Sequence, residues 1–367
     1  PNSANYLTAD PWRYEVDTFW ASGILDTFSN SFKFPPITVK EGSHYRARVR
    51  HQGIDGRWSH WSEPVEFVTS TPDLSAYRDG LVISEIMYKS EGGSALEFIE
   101  IKNVGPTTLD LSEVRFTKGI DFDFAGSSIT SIDAGAYVLV VENLAAYEAA
   151  YGDISTVAGE YQFSSSNSLS NSGERLKLSF GAGTAIRDFV YDDELPWPTP
   201  PDVSGRSLVL IDPGSLPDHS VASNWRSSTE PGGNPGSSDA APPFEGIAEA
   251  DDDNDGLNAL LEYALGGDDG DPTAAAYPMV SVEPLDVDST TSDYLLIRIQ
   301  RNLAAEDMII SAEISSDLIH WQSGPTAVVL VNETANSDGT STLTFRSAKA
   351  VNSASQIYIR AHAKQSP

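Results

Sequence analysis

Short runs of alternating or β-branched apolar residues recur along the chain, and turn-forming Gly, Pro, Asn, Asp and Ser residues bound most of them. This pattern predicts strands. The predicted strands are 46–50, 82–87, 97–101, 137–141, 176–180, 207–211, 294–300, 308–314, 342–345 and 356–360. Helical periodicity is confined to residues 143–151 (NLAAYEAAY) and 257–265 (LNALLEYAL). We therefore predict an all-β fold of tandem β-sandwiches with two short helices.

Shifts in composition divide the 367 residues into modules, each long enough to bury its own core or to form a short connecting unit. Residues 227–244 (SSTEPGGNPGSSDAAPPF) are rich in Gly, Pro and Ser, which predicts a flexible linker. The predicted folded modules are 1–72, 80–226, 245–270 and 278–367.

An acidic excess dominates the charge. The chain carries 53 acidic and 23 basic residues, a formal net charge of −30. Such a surface repels nucleic acid and anionic membrane, whereas it suits cations or a saline medium. A solubilising surface explains most of the excess.

The absence of cysteine excludes thiol catalysis and cysteine-ligated zinc, and it is compatible with export. No apolar run approaches the roughly 18–20 residues that span a bilayer. Because the sequence starts at Pro1 without Met or a visible signal peptide, we expect an internal or processed piece of a longer protein.

Residues 251–262 (DDDNDGLNALLE), here called the acidic loop, match D-x-D-x-D-G-x5-E at every defined position. Calcium takes six to eight oxygen ligands, and this spacing supplies them from one short loop and the helix that follows. Position 9 is Ala259, so we expect a water there. The alternative is a solvated acidic turn. The predicted Ca²⁺ ligands are the carboxylates of Asp251, Asp253, Asp255 and Glu262 and the backbone carbonyl of Leu257.

No helix leads into the acidic loop, since residues 246–250 (GIAEA) are too short for one. The loop therefore resembles the single-helix calcium loops of dockerins and thrombospondin type 3 repeats. Only one copy is present, which argues against the paired dockerin arrangement. Followed by LLEYALG and a small β module, it also resembles the ends of exported multidomain proteins of Verrucomicrobia and Planctomycetes. That resemblance implies a calcium site that stiffens a joint between modules.

Residues 40–68 (KEGSHYRARVRHQGIDGRWSHWSEPVEFV) resemble the last strands of a fibronectin type III domain. The alternating arginines share one strand face, where tryptophan rings can interleave with them as a cation–π ladder. The alternative is an aromatic ligand-binding patch. The residues of this predicted stacking are Arg46, Arg48, Arg50, Trp58 and Trp61.

Residues 81–212 resemble a lamin-tail domain, an immunoglobulin-like β-sandwich. The resemblance rests on LVISEIM at 81–87, EFIEIKN at 97–103 and LDL at 109–111, and on later segments such as GERLKL at 173–178. It implies an interaction module, although a fold by itself does not define a function. Residues 278–367 are strand-rich, and we expect a small β-sandwich there.

Catalytic motifs are lacking. Glu85, Glu97 and Glu100 could pass for paired catalytic carboxylates, but no histidine lies near them in sequence, and we interpret them as structural or surface acids. The six histidines show no metal-ligand spacing, and there is no G-x-S-x-G, P-loop or dinucleotide motif. We predict that the chain is not an enzyme.

The sequence therefore favours a non-catalytic, calcium-stabilised structural or adhesion protein, secreted or at the cell surface. Its expected partners are protein or polysaccharide at the cell surface, without nucleic acid or direct membrane insertion. The alternative is a carbohydrate-binding accessory region of a larger exported enzyme, for example one with an upstream CotH kinase-like or hydrolase domain. Its candidate ligand-binding aromatics are Trp12, Trp20 and Trp197. A third hypothesis is self-assembly through edge strands.

Overall fold

The computed structural model describes residues 18–27, 34, 39–40, 42–69, 72–164, 167–351 and 356–366. These residues form mainly β-strands with a few short helices, which confirms the predicted all-β class. Within the same ranges, no helix is both long enough and apolar enough to cross a membrane.

The strands and helices are numbered in chain order. The N-terminal and central strands are β1 (His44–Ala47), β2 (Val65–Val68), β3 (Leu81–Met87), β4 (Phe98–Asn103), β5 (Leu109–Asp110), β6 (Val114–Lys118), β7 (Phe122–Asp123), β8 (Ser131–Ile132), β9 (Tyr137–Val141), β10 (Val157–Glu160), β11 (Glu174–Phe180), β12 (Thr184–Tyr191), β13 (Leu208–Leu210) and β14 (Trp225–Ser227). The C-terminal strands are β15 (Met279–Val287), β16 (Thr290–Asn302), β17 (Met308–Ser315), β18 (Val328–Ala335), β19 (Thr340–Ser347) and β20 (Tyr358–Gln365). The α-helices are α1 (Ser75–Arg78), α2 (Leu144–Tyr151), α3 (Pro200–Val203) and α4 (Ala259–Leu265).

The central module is a β-sandwich. One sheet has the order β10-β9-β4-β3-β13-β14, and the other has the order β12-β11-β6-β7. Pairing is antiparallel except between β9 and β10. Apolar residues from both sheets meet in one core that includes Ile83, Ile99, Phe116, Leu176 and Leu208.

The outer face of the larger sheet is also covered, because α2 packs on it. Tyr147 of α2 joins Met87 and Phe98 in a second apolar cluster. The helix begins at Asn143, whose side chain accepts from Ala146 N at 2.9 Å, and it ends at Gly152 with φ +82°. With both faces covered, every residue of β3 is buried, including its polar ones.

Residues 227–244, predicted to be a flexible linker, lie against this outer face instead. Tyr151 Oη donates to the Gly232 carbonyl at 2.7 Å, and the N–H groups of Asn234 and Gly236 donate to buried carboxylates of β3 and β4. Gly233 has φ +74°, and a Cβ atom there would lie 2.0 Å from Glu85 Oε1. The glycines therefore permit a close approach that composition alone does not distinguish from flexibility.

The C-terminal module has one sheet in the order β15-β16-β19-β18 and a second formed by β17 and β20. Helix α4 belongs to this module, since its Leu265 is buried in a core with Ile297, Ile299, Ala312 and Val328. The predicted separate segment 245–270 and the predicted module 278–367 therefore share one hydrophobic core.

Candidate metal centre

Three aspartates of the acidic loop converge. The carboxylates of Asp251, Asp253 and Asp255 each place an oxygen within 4.8 Å of the other two. Among the described residues, this is where three potential metal-ligating side chains meet. The sequence-predicted residues at positions 1, 3 and 5 are thus brought together.

Backbone hydrogen bonds hold the loop in this shape. Asp255 N and Gly256 N donate to the two oxygens of Asp251 at 3.1 and 3.2 Å. Asn254 and Gly256 have positive φ values of 60° and 96°, which asparagine and glycine tolerate best. At the base of the loop, Ala259 N donates to the Ala250 carbonyl at 2.8 Å.

Helix α4 delivers Glu262 to the loop. Its N-cap is Asn258, whose side chain accepts from Leu261 N at 3.0 Å, and Gly266 ends it in the left-handed conformation. Glu262 is only 1 % exposed. It is not one of the three carboxylates within 4.8 Å of each other, but it lies close enough to be affected by the charges of Asp253 and Asp255.

Four carboxylate oxygens of this site lack donors. Oδ2 of Asp253, Oδ2 of Asp255 and both oxygens of Glu262 are buried without a hydrogen-bond partner. Buried polar atoms are normally satisfied, so four such oxygens in one place require an explanation. A hard cation with oxygen ligands fits this set of donors.

Burial raises the pKa of Glu262 to about 7, with the charges of Asp253, Asp255 and Asp269 adding to the effect. Burial also raises the pKa of Asp253. Without a counter-charge, the site therefore resists ionisation of its own acids.

Leu257, the predicted carbonyl ligand at position 7, is buried, and its N–H donates to Asp255 Oδ1 at 2.7 Å. The carbonyl of Asp255 accepts from Tyr277 Oη at 2.7 Å. Tyr277 follows α4 in the chain, so this hydrogen bond connects the segment after the helix to the acidic loop.

Helix α4 also connects the acidic loop to residues beyond it. Tyr263 Oη lies 2.9 Å from both Asp307 Oδ1 and the Pro242 carbonyl oxygen, which share its single hydrogen as acceptors. Asn302 Nδ2 donates to the Tyr263 carbonyl at 3.0 Å. The loop, the helix and the start of β17 are thus linked by direct contacts.

A buried ion cluster, here called the joint, lies next to Asp307. Arg226 at the end of the central sandwich is fully buried and pairs with Asp239 and, at 2.6 Å, with Glu306 of the C-terminal module. Glu306 Oε2 also accepts from Asp212 N at 2.9 Å. Further contacts join the same two modules: Thr199 Oγ1 donates to the Glu333 carbonyl, and Arg206 donates to the Asn336 carbonyl.

A second group of acids lies buried under residues 227–244. Glu85 and Glu100 are cross-strand partners on β3 and β4. Ser207 Oγ and Asn234 N donate to Glu85 Oε1, at 2.5 and 3.0 Å. Ser84 Oγ and Gly236 N donate to the two oxygens of Glu100, each at 2.6 Å. Each carboxyl group is thus matched by donors.

Burial raises the pKa of Glu85 to about 8, with the neighbouring Glu100 adding to the shift, and burial raises the pKa of Glu100 to about 7. Glu97 is buried as well, and its Oε2 accepts from Tyr161 Oη and Leu169 N. These three acids are therefore internal anchors for backbone and hydroxyl groups.

The candidate sugar-binding tryptophans differ in position. Trp197 is 8 % exposed and its ring lies 6.0 Å from that of Trp225, so it offers little surface to a ligand. Trp20 is half-buried in an edge contact with Phe34. Trp12 lies outside the described residues.

The arginine and tryptophan residues of the N-terminal module stack on each other. The Arg50 guanidinium lies 4.4 Å from the Trp58 ring centroid and 4.6 Å from that of Trp61, and Arg48 lies 5.6 Å from Trp61. Arg46 lies on β1, whose backbone pairs with β2. This geometry agrees with a structural stacking arrangement.

Two paired-sheet modules joined through a buried ion cluster define a modular β-sandwich protein. Residues 75–193 match the family model of the Lamin Tail Domain, which confirms the predicted lamin-tail resemblance for the central module. The match covers less than half of the chain, so the family assignment applies to the central module and not to the whole chain. Comparison with curated proteins and with solved structures gives no significant match.

The sequence did not single out Asp269, Arg226 or the burial of Glu85 and Glu100. Asp269 lies beyond the loop motif, although the acidic run DDGD at 268–271 is a visible signal. The other three depend on contacts between residues 80–150 positions apart in the chain.

Proposed function

We propose that the chain is a non-catalytic, calcium-stabilised modular structural or adhesion protein that acts outside the cell or at its surface. The observation that carries this proposal is the set of buried, unpartnered oxygens on Asp253, Asp255 and Glu262. In a loop with the D-x-D-x-D-G-x5-E pattern, Ca²⁺ is the cation that such oxygens suit best.

A bound ion would supply positive charge to a site that otherwise holds only carboxylates. Asp251, Asp253, Asp255 and Glu262 would hold it, with the Leu257 carbonyl as a further ligand. Binding would fix the start of α4, whose Tyr263 contacts Asp307 beside the joint. We therefore infer that calcium braces the contact between the central and C-terminal modules.

An extracellular location agrees with the charge of the chain. The net charge of −30 suits a medium rich in cations. Calcium loops of extracellular modules need only weak affinity, with dissociation constants of about 10⁻⁴–10⁻³ M. Surface protein or polysaccharide remains the proposed partner. The burial of Trp197 and the packing of Trp20 support the structural role better than the carbohydrate-binding alternative.

Calcium titration by calorimetry and thermal melting with calcium or chelator test this proposal. We expect calcium to stabilise the wild-type chain by about 2.7 kcal/mol when its concentration is a hundred times the dissociation constant. The Asp253→Ala variant should lose this effect.

The matched control is Asp252→Ala, which removes the same charge from an exposed neighbouring position of the loop. It should keep most of the calcium-dependent stabilisation. A wild-type chain that neither binds calcium nor melts higher in its presence would refute the proposal.

A further inference from the structure

The turn that follows helix α4 returns to the acidic loop. Residues 266–269 read GGDD. The N–H groups of Gly266 and Gly267 both donate to the Glu262 carbonyl, at 2.7 and 2.8 Å, and Gly266 has φ +82°. This turn reverses the chain, and Asp269 then accepts from Asp252 N at 3.1 Å through its Oδ1 atom. A residue outside the loop motif is thus hydrogen-bonded to the second residue of the loop.

The same turn passes beside the buried Glu262, since a Cβ atom at Gly267 would lie 3.1 Å from Glu262 Oε1. Yet no donor reaches either Glu262 oxygen. Neighbouring carboxylates without donors repel each other unless a cation or a proton lies between them.

The loop motif leaves one ligand position without a side-chain oxygen. Position 9 is Ala259, which has no side-chain oxygen, whereas Ca²⁺ takes six to eight oxygen ligands. Asp269 keeps a second oxygen, Oδ2, apart from its hydrogen bond to Asp252 N.

We infer that Asp269 is an additional carboxylate ligand of the cation bound by the acidic loop, and that it replaces the side-chain ligand missing at position 9. This inference rests on the proposed calcium site. The ligands then extend from residue 251 to residue 269, on both sides of α4. Release of the ion would require the turn after the helix to move, not the loop alone.

The test compares two neighbouring charge removals. Asp269→Asn removes the charge but keeps an oxygen that can accept from Asp252 N. Asp268→Asn removes the same charge from an exposed side chain that accepts only from Gly270 N at 3.0 Å in its own turn. Calcium binding is measured by calorimetry, and the melting temperature in chelator confirms that both variants fold.

We expect Asp269→Asn to weaken calcium binding about tenfold or more, which corresponds to about 1.4 kcal/mol. Asp268→Asn should weaken it by no more than about twofold, because only long-range charge is lost. In chelator, Asp269→Asn should melt at or above the wild-type temperature, since a repulsive charge is gone.

Equal dissociation constants for the two variants would overturn the assignment of Asp269 while leaving the proposed calcium site intact. Absence of calcium binding by the wild-type chain would instead remove the proposed function and this inference together.

Discussion

Two groups of buried acids differ in what surrounds them. Glu85 and Glu100 lie between the larger sheet of the central sandwich and residues 227–244, and each accepts from a serine hydroxyl and a backbone N–H. In the acidic loop, Glu262 is buried to the same degree, but neither of its oxygens has a donor. Burial alone therefore does not distinguish the two groups of acids.

The partners of each group explain the difference. A buried carboxyl with matched donors fixes the groups that donate to it, here residues 234 and 236. A buried group of carboxylates without donors is costly until an outside charge compensates it. The first kind of site stabilises the fold without an added ion, whereas on the proposed function the second would make stability depend on a cation.

Arg226→Ala gives the largest expected effect on stability, because it leaves two buried acids without their positively charged partner. Asp239 and Glu306 would remain buried without their guanidinium partner, at a cost of about 3–5 kcal/mol in the free energy of unfolding. Denaturant unfolding followed by tryptophan fluorescence measures this loss.

Arg175→Ala is its control, since Arg175 also binds an aspartate through two hydrogen bonds but is 55 % exposed. It should cost less than about 1 kcal/mol. Similar losses for the two variants would show that burial of the joint contributes little.

Glu85→Ala and Glu262→Gln should act in opposite directions in calcium-free buffer. Glu85→Ala leaves the Ser207 hydroxyl and Asn234 N–H without their acceptor and should cost about 2 kcal/mol, with or without calcium. Glu262→Gln removes a charge from the unpartnered group, so the chelated protein should be as stable as wild type or more stable. Thermal melting with calcium and with chelator measures both.

Glu148→Ala, an exposed change on α2, controls for loss of a surface charge above the same sheet. The contrast between the two groups of acids fails if Glu262→Gln destabilises the chelated protein as much as Glu85→Ala does.

Measured for one group over one pH unit, the pH dependence of stability should give the smallest effect. The pair formed by Glu85 and Glu100 has pKa values raised from 4.5 to about 8 and about 7, so the folded protein holds protons that the unfolded chain loses. Their contribution is complete below about pH 4.5 and is lost as the pH rises to about 8. The slope is at most about 1.4 kcal/mol per pH unit for each proton.

Melting curves between pH 5 and pH 9 measure this slope in chelator. Lys102 and Asp239 also face Glu100, and the difference between wild type and the Glu85→Gln/Glu100→Gln variant isolates the pair from these and other acids. An identical slope in the two proteins would contradict the raised pKa values.

Local patterns carried the correct predictions. Strand periodicity and the spacing of the apolar residues indicated the all-β class, and helices α2 and α4 lie within the predicted segments 143–151 and 257–265. The acidic loop, whose calcium binding stays a prediction, was recognisable because its motif residues lie within twelve positions of each other. Each of these features is set by neighbours along the chain.

Long-range contacts explain what the sequence did not reveal. Residues 227–244 were predicted to be flexible because glycine and proline are common in linkers, but Gly233 and Gly236 shape turns against Glu85 and Glu100. The acids that receive these turns are more than 130 residues earlier. Asp269 was missed for a related reason, since it reaches the loop only after the helix ends and the chain reverses.

The docking of residues 227–244 on the central sandwich also affects where the chain can be cut without loss of buried contacts. A recombination boundary or an expression boundary placed after β14 would leave Glu85 and Glu100 without the N–H groups of Asn234 and Gly236. A boundary placed before the acidic loop would separate α4 from Pro242, to which Tyr263 donates. The shortest stretch that keeps these contacts therefore contains the sandwich, residues 227–244 and the C-terminal module, although composition divides them into separate parts.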